Sequence, residues 1–239
     1  MKRFFRLYSP LFLPMKTLAY IDGFNLYYGA LKGTAYKWLD IIQLIQRIAY
    51  IQNPNIHLTG VRYFTSPVKA KIASHGELAV QAQNAYLKAL KSTYPDTIQI
   101  IEGFFSLSEA GMPRYQNPLI KSDRISVWRL EEKKTDVQLA LAMYRDAYLS
   151  NAEQLLLVSN DTDQVPTLEA IKADFPHLRI GLIIPRLKTN DAKQRPSNAE
   201  LETLADWTRQ YIHENELAEC QLPTLIKTKK KPVFKPNYW

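Results

Sequence analysis

Residues 17–28, TLAYIDGFNLYY, contain an apolar run that ends at Asp22. A second apolar run, Leu155–Val158, ends shortly before Asp161 and Asp163. Short apolar runs that end in turn-forming residues are typical of buried parallel strands. The carboxyl ends of such strands open into the crevice where α/β proteins bind ligands, so we expect the three aspartates to lie close together there.

Strand and helix patterns alternate along the rest of the chain. Strands are predicted at 17–22, 58–64, 97–105, 154–159 and 178–184, with a short edge strand at 124–130. Helices are predicted at 38–50, 76–92, 134–149, 161–173, 198–206 and 207–219. The stretches 106–121 and 186–197 are predicted as loops. This alternation favours a parallel sheet that is covered by helices on both faces.

Asp136, at the start of the predicted helix 134–149, is a fourth candidate for the same crevice. Four carboxylates in one low-dielectric site would repel one another. A divalent cation is the usual compensation, and Mg²⁺ or Mn²⁺ prefers oxygen ligands. The pattern therefore indicates metal-dependent phosphoryl chemistry. Taken singly, each aspartate could instead cap a helix or form a turn.

Composition bounds the class of protein. The chain has 239 residues, which is one large domain, and its single cysteine, Cys220, excludes an internal disulfide and a cysteine-rich zinc site. The net charge of +8 lies in the two ends, because 1–16 and 221–239 hold nine basic residues and no acidic ones. No apolar run is long enough to span a membrane, and we expect a cytoplasmic protein that starts at Met1 or Met15.

Several short motifs, in order along the chain, resemble the NYN-domain proteins, the LabA-like branch of the PIN-like nuclease superfamily. The two main motifs are YIDGFNLYY (20–28) and LVSNDTDQVPTLEA (157–170). Smaller matches are YKWLD (36–40), RYFTSP (62–67), YLKAL (86–90), EGFF (102–105), EEKKTDVQLALAMYRDA (131–147) and QLP (221–223). The resemblance predicts an NYN domain over 17–225, preceded by a basic and apolar extension over 1–16 and followed by a basic tail over 226–239.

By resemblance, the fold is a Rossmann-like three-layer α/β/α sandwich with a mainly parallel PIN-like sheet. The implied activity is that of a ribonuclease that depends on Mg²⁺ or Mn²⁺ and leaves a 5′-phosphate and a 3′-hydroxyl. Asp22 matches the metal-binding aspartate of the first strand, and Asn25 matches the asparagine that orients that aspartate or the scissile phosphate. Asp136, Asp161 and Asp163 match the other acids. We expect Asp22, Asp136 and Asp161 to bind the cation directly, and Asp163 directly or through water.

Basic residues predict where RNA, the expected partner, would bind. Lys134 is predicted to contact a phosphate beside the acidic group, and Arg62 is predicted to join a phosphate-binding rim. Lys229, Lys230 and Lys231 of the tail could hold the phosphate backbone, or the tail could be a disordered, solubilising segment. A homodimer through exposed Phe or Tyr side chains is compatible with the sequence, although no specific motif supports it.

Two alternatives to a nuclease stay open. Asn160 stands where the family often has glycine, and Gln164 stands where it often has an aromatic or aliphatic residue, which leaves room for a non-catalytic RNA-binding or regulatory protein. The string DTDQV at 161–165 also resembles the aspartyl-nucleophile motif of haloacid dehalogenase-like phosphatases. That fold normally places its nucleophile on the first strand, however, and the alternative would leave Asp22 and Asn25 without a role.

Overall fold

The computed structural model describes residues 14–188, 196–229 and 231–239. Its strands are β1 (Met15–Asp22), β2 (Ile56–Thr65), β3 (Ile98–Glu102), β4 (Phe104–Pro113), β5 (Arg124–Lys133), β6 (Gln154–Val158), β7 (Arg179–Ile183), β8 (Trp207–Arg209), β9 (Leu225–Ile226) and β10 (Val233–Phe234). Its α-helices are α1 (Gly23–Leu26), α2 (Ile41–Gln52), α3 (Gly76–Thr93), α4 (Thr135–Tyr148), α5 (Val165–Asp174), α6 (Ala199–Leu204) and α7 (Glu214–Glu219). A π-helical turn covers Tyr27–Leu31, and a 3-10 turn covers Thr162–Gln164.

Six parallel strands form the central sheet, in the order β3-β2-β1-β6-β7-β8. The two strands that carry the predicted acids, β1 and β6, are neighbours, with Ile21 opposite Val158. Their carboxyl ends therefore lie side by side at one edge of the sheet. This arrangement confirms the predicted α/β sandwich with a mainly parallel sheet.

Successive side chains of a strand point to opposite faces of the sheet, so β1 contributes to two cores. Ala19 and Ile21 belong to one buried cluster, which includes apolar residues of α2 and α3. Tyr20 belongs to the other cluster, which includes apolar residues of α4 and α5. Burial on both faces explains why these strands read as continuous apolar runs rather than as alternating ones.

The structure differs from the prediction between β3 and α4, where 106–121 was expected to be a loop but Phe104–Pro113 forms β4. The strand predicted at 124–130 is present within β5. β4 and β5 pair with each other, from Phe104 opposite Lys133 to Pro113 opposite Arg124, as a separate antiparallel ribbon. Most of the ribbon is exposed, including Trp128, with 64% of its surface accessible. Both faces of β4 are partly solvated, so its sequence lacks the regular alternation that marks a strand with one buried face.

The predicted helix over 207–219 is also wrong in its first part, since Trp207–Arg209 is the edge strand β8. The Trp207 ring packs against Gly181 so closely that a Cβ at residue 181 would lie 2.4 Å from it. Trp207 Nε1 also donates a hydrogen bond of 3.0 Å to Gln154 Oε1. Tertiary packing of this kind overrides local helix propensity. Only the second part of the prediction, α7, is helical.

The segment predicted as a basic tail packs against the domain. β9 and β10 pair antiparallel, and Ile226 and Val233 are buried in the cluster on the α3 side of the sheet. The predicted extension over 1–16 falls mostly, and the 186–197 loop largely, outside the described residues. Among the described residues, no helix is long and apolar enough to cross a membrane. Cys220 has a buried free thiol and is the C-cap residue of α7.

Candidate acidic active site

Asp22 is the last residue of β1 and is fixed by four hydrogen bonds. Its Oδ1 accepts from the backbone N–H groups of Phe24, at 3.1 Å, and Asn25, at 3.0 Å, so Asp22 caps the short helix α1. Its Oδ2 accepts from Asn25 Nδ2 at 2.6 Å and from Ser159 Oγ at 3.0 Å. The residue is only 4% exposed. Burial raises the pKa of Asp22, the hydrogen bonds from Asn25 and Ser159 lower it, the charge of Asp161 raises it again, and the net change is upward.

Asn25 and Ser159 connect Asp22 to the loop that follows β6. Asn25 Oδ1 accepts from the backbone N–H of Asn160 at 3.3 Å, while Ser159 Oγ accepts from the backbone N–H of Asp161 at 3.1 Å. The two loops at this edge of the sheet therefore share one hydrogen-bond network around the Asp22 carboxylate. Asn25 contacts the Asp22 carboxylate directly in this network, and its orienting role stays a prediction. Ser159 was not predicted, although its place directly after an apolar strand was a usable signal.

Asp161 and Asp163 lie in the turn between β6 and α5. Asp161 Oδ1 accepts from the backbone N–H of Asp163 at 3.2 Å, so Asp161 caps the 3-10 turn at Thr162–Gln164. Asp161 is half-buried and Asp163 is exposed. Among the described residues, no donor lies within hydrogen-bonding distance of the Asp163 carboxylate. Both the capping role and a binding role are therefore available to this pair.

Asp136 lies in the first turn of α4 and is half-buried. Its pKa is raised to about 6, first by burial and then by the charges of Asp22, Asp161, Glu132 and Asp163. Asp136 is thus close enough to Asp22, Asp161 and Asp163 for their charges to affect its pKa. That these four carboxylates form a metal site stays a prediction.

Glu132 is a fifth acid in this field, and it was not predicted. Its Oε1 accepts from Ser66 Oγ at 2.7 Å and from Thr135 Oγ1. These contacts tie the end of β5 to the end of β2 and to the start of α4. Glu132 lies in the acidic and basic run that precedes α4, so the sequence offered only a weak signal for it.

The donor chemistry of this group fits a Mg²⁺ or Mn²⁺ ion. All the candidate ligands are carboxylates. Burial first, and then the charges of the neighbouring acids, raise the pKa of Asp136, and a cation removes both costs of keeping this carboxylate ionised. As they stand, however, no three acidic, histidine or cysteine side chains in the described part of the chain are close enough together to hold a metal ion. Asp22 is held by four protein donors, whereas Asp136 and Asp163 accept no hydrogen bond from the described residues. Binding would therefore rely on movement of the less constrained carboxylates toward Asp22.

The predicted RNA-binding residues have different surroundings. Lys134 precedes Asp136 by two residues, adopts a left-handed conformation with φ of 80°, and places Nζ 5.1 Å from the centre of the Phe104 ring. Arg62 instead forms a two-pronged ion pair with Asp146, with Nε–Oδ2 at 2.7 Å and Nη2–Oδ1 at 2.8 Å. This pair occupies the guanidinium, so Arg62 has a structural partner that the sequence did not predict.

Two of the tail lysines, Lys229 and Lys231, lie between the strands of the β9–β10 hairpin, which contacts α3. Lys229 and Lys231 are exposed, and Lys230 lies outside the described residues. The backbone carbonyl of Lys231 accepts from Lys88 Nζ of α3 at 3.4 Å. The positive charge of Lys229 and Lys231 is therefore carried on a segment that packs against α3.

A cavity of about 310 Å³ opens on the α3 side of Asp22. Its lining starts at Gly23 and Phe24, directly after Asp22, and includes Tyr27 and Tyr63. A Cβ at residue 23 would lie 2.5 Å from the Phe64 carbonyl oxygen and 3.0 Å from the Tyr63 hydroxyl, so only glycine fits this turn. The cavity and the acidic group therefore adjoin the same tightly packed turn, at Gly23 and Phe24.

Comparison with known proteins gives three similarities. The family model described as NYN domain matches residues 16–195. The chain is 34% identical over 246 residues to 6-hydroxy-3-succinoylpyridine 3-monooxygenase of Pseudomonas putida, a match that covers 95% of this chain and 76% of that protein. A crystal structure of a protein of unknown function from Vibrio parahaemolyticus is similar with a TM-score of 0.47 and 12% identity, covering 84% of this chain and 94% of the other.

Proposed function

We propose that this chain, which belongs to the NYN domain family, is a ribonuclease that depends on Mg²⁺ or Mn²⁺ and hydrolyses phosphodiester bonds of RNA. The family is PIN-like and generally contains nucleases. The observation that carries the proposal for this chain is the charge coupling of Asp136 to Asp22, Asp161 and Asp163 at one edge of the sheet. Such a group of carboxylates is suited to binding a cation that in turn contacts phosphate.

Asp22, Asp136, Asp161 and Asp163 are the proposed ligands. When bound, the cation supplies Lewis-acid activation of water and neutralises charge on the phosphate oxygens. Asp22 provides the fixed point of the site, because Asn25 and Ser159 hold both its position and its charged form. The other three carboxylates are half-buried or exposed, so their side chains can adjust to the ion and to the substrate.

Lys134 is the proposed phosphate contact within the site. It precedes Asp136 by two residues and places its ammonium group over the exposed Phe104 ring. Lys229, Lys230 and Lys231 are proposed to contact the RNA backbone farther along the surface. Arg62 is left out of the proposed interface, because its guanidinium is committed to Asp146.

The test is cleavage of an end-labelled RNA pool with Mg²⁺ or Mn²⁺ by the intact protein and by Asp161→Asn. Asp96→Asn is a matched control, since Asp96 is exposed and precedes β3, at the opposite edge of the sheet. We expect cleavage that needs the metal, is lost in Asp161→Asn and is unchanged in Asp96→Asn. RNA that is bound but never cut would assign a binding or regulatory role instead.

A second candidate function is oxygenation of a small aromatic acid. The similar protein from Pseudomonas putida is named as a monooxygenase of a substituted pyridine, and the cavity beside Asp22 has aromatic walls of suitable size. Monooxygenation places one atom of O₂ on the substrate and reduces the other to water with two electrons from a donor such as a reduced nicotinamide. Oxygen uptake that requires both a hydroxypyridine carboxylate and this donor would favour the second candidate, and its absence would reject it.

A further inference from the structure

The walls of the cavity beside Asp22 are mainly aromatic. Phe24 packs edge-on against Phe105, with ring centres 5.3 Å apart, and Tyr27 packs edge-on against Tyr28 at 5.2 Å. All four side chains line the cavity. Aromatic faces and edges in this arrangement favour a flat, unsaturated ring as the ligand.

Two residues from the far end of the described chain close the cavity. The Tyr238 ring stacks on His75, with centres 5.0 Å apart, and its hydroxyl donates a 2.6 Å hydrogen bond to the Leu78 carbonyl. Trp239 packs against Trp38 and Tyr86, at 6.3 and 5.7 Å. These contacts hold both rings at the cavity without the help of a ligand, so the site is pre-formed.

One polar group of the wall lacks a partner. Tyr63 is only 7% exposed, and its hydroxyl has no hydrogen-bond partner among the described residues. The hydroxyl oxygen is not one of the fully buried unpaired polar atoms among the described residues, so it is open to the cavity and can hydrogen-bond to a ligand there. The hydroxyl lies next to Gly23, and therefore at the side of the cavity that adjoins Asp22.

Positive charge lies at the rim of the same cavity. Lys32, Lys37 and Lys69 line it, and Lys32 Nζ lies 4.9 Å from the centre of the Tyr28 ring. No acidic side chain is among the lining residues of the described chain. A ligand with a flat ring and an attached anionic group matches this combination of aromatic wall and basic rim.

We infer that the cavity binds one nucleotide of the RNA substrate, with the base between the aromatic rings and a phosphate toward the lysines. The inference rests on the proposed nuclease function, because it makes the cavity a subsite beside the scissile bond. The shared turn at Gly23 and Phe24 would then couple the position of the bound base to that of Asp22. The volume of about 310 Å³ lies at the lower end of the range for small-molecule sites, which suits one nucleotide rather than several.

The test measures binding of AMP, GMP, CMP and UMP to the full chain in EDTA, by calorimetry and by quenching of tryptophan fluorescence. We expect saturable binding that Tyr27→Ala and Tyr238→Ala each weaken by roughly tenfold, the usual effect of losing one base-stacking ring. Tyr63→Phe keeps the ring and removes only the hydroxyl, so it should also weaken binding while the protein stays folded. Tyr148→Ala is the matched control, since Tyr148 is an exposed tyrosine of α4, on the other face of the sheet.

The outcomes separate the subsite from the nuclease. Nucleotide binding that depends on Tyr27 and Tyr63 supports the subsite even if no RNA is cleaved, in which case the proposed function fails alone. Cleavage of RNA with no nucleotide binding, or with binding that these variants leave unchanged, overturns the subsite and leaves the nuclease standing. A hydroxypyridine carboxylate that binds more tightly than all four nucleotides overturns the nucleotide assignment in favour of a small aromatic acid.

Discussion

Asn25 donates a hydrogen bond of 2.6 Å from its side-chain amide to Asp22 Oδ2, and its own carbonyl oxygen accepts from the loop after β6. One asparagine thus fixes the orientation of the buried carboxylate and joins the two loops that carry the acidic group. An amide is required for this arrangement, because it must donate on one side and accept on the other.

Asn25→Ala should lower both stability and activity. The loss of a hydrogen bond to a buried charge costs about 2 kcal/mol of unfolding free energy. Asn151→Ala is the matched control, since Asn151 Nδ2 donates a similar 2.8 Å bond to Asp146 Oδ1 on the other face of the sheet. Urea unfolding should show a loss in both variants, whereas RNA cleavage per folded molecule should fall only in Asn25→Ala. Equal cleavage by the two variants would remove Asn25 from the site.

Arg62→Met should destabilise the fold without changing the chemistry. Asp146 is buried, and removal of its partner leaves an uncompensated charge, so we expect a loss of about 3 kcal/mol in urea unfolding. Arg47→Met breaks an exposed pair with Glu219 and should change the stability far less than Arg62→Met does, because solvent screens the pair. If Arg62→Met kept its stability and instead lost RNA affinity, the predicted phosphate-binding role would be restored.

The same ion pair gives a prediction for acid stability. Burial works to raise the pKa of Asp146, but the hydrogen bonds from Arg62, Asn151 and Tyr20 outweigh it, and the pKa lies below its ordinary value of 3.8. As pH falls, the Asp146 carboxylate is therefore protonated in the unfolded chain before it is protonated in the folded protein. The stabilisation is present above pH 3.8 and is lost as pH falls through the folded pKa. Urea unfolding of the intact protein between pH 5 and pH 2.5 should show this loss, and Asn151→Ala should move it to higher pH.

For Asp136 we expect stability to depend on pH in the opposite direction, at a pH closer to neutral. Its pKa of about 6 in the folded protein lies above the ordinary value of 3.8, so the folded state binds this proton more tightly than the unfolded chain does. In EDTA, this carboxylate should lower stability progressively as pH rises from about 4 to above 6. Asp136→Asn should therefore melt at a higher temperature than the intact protein at pH 7.5 and should no longer gain stability from Mn²⁺. Asp96→Asn should change neither property, and a lower melting temperature for Asp136→Asn would contradict the proposed cost of burying this charge beside the other acids.

The central sheet and the meeting of Asp22 with Asp161 could be predicted, because both depend on local patterns. A run such as LLLV at 155–158 marks a strand buried on both faces, and parallel neighbours bring their carboxyl ends to one edge. The β4–β5 ribbon could not be predicted in this way. Its strands are stabilised by pairing with each other. Gly111, Pro113 and Pro118 are residues typical of loops, so the local sequence predicts a loop where β4 forms.

Contacts between distant parts of the sequence could not be predicted either. Nothing near Tyr238 in the chain indicates that it stacks on His75, or that Trp239 packs on Trp38. Arg62 likewise looked like a free cation, because its partner Asp146 is 84 residues away. Such pairings depend on the assembled layers, whereas periodicity reports only which face of an element is buried.

The last prediction concerns the tail lysines and uses a variant that leaves the packing of the fold intact. A truncation after Pro223 would remove Ile226 and Val233 from the core and Trp239 from its contacts with Trp38 and Tyr86, so a loss of RNA binding would be ambiguous. Substitution of Lys229, Lys230 and Lys231 by Gln removes only charge.

If all three lysines contact phosphates, the slope of log affinity against log salt should fall by about 2, at roughly 0.7 per contact on single-stranded RNA. RNA affinity at low salt should fall with it, while the melting temperature and the binding of mononucleotides stay unchanged. Lys91→Gln is a single-charge control, since Lys91 is an exposed residue in the last turn of α3. A triple variant with an unaltered salt slope would show that the surface charge around the β9–β10 hairpin does not hold RNA, and the backbone would then have to be held by Lys134 and the rim of the cavity.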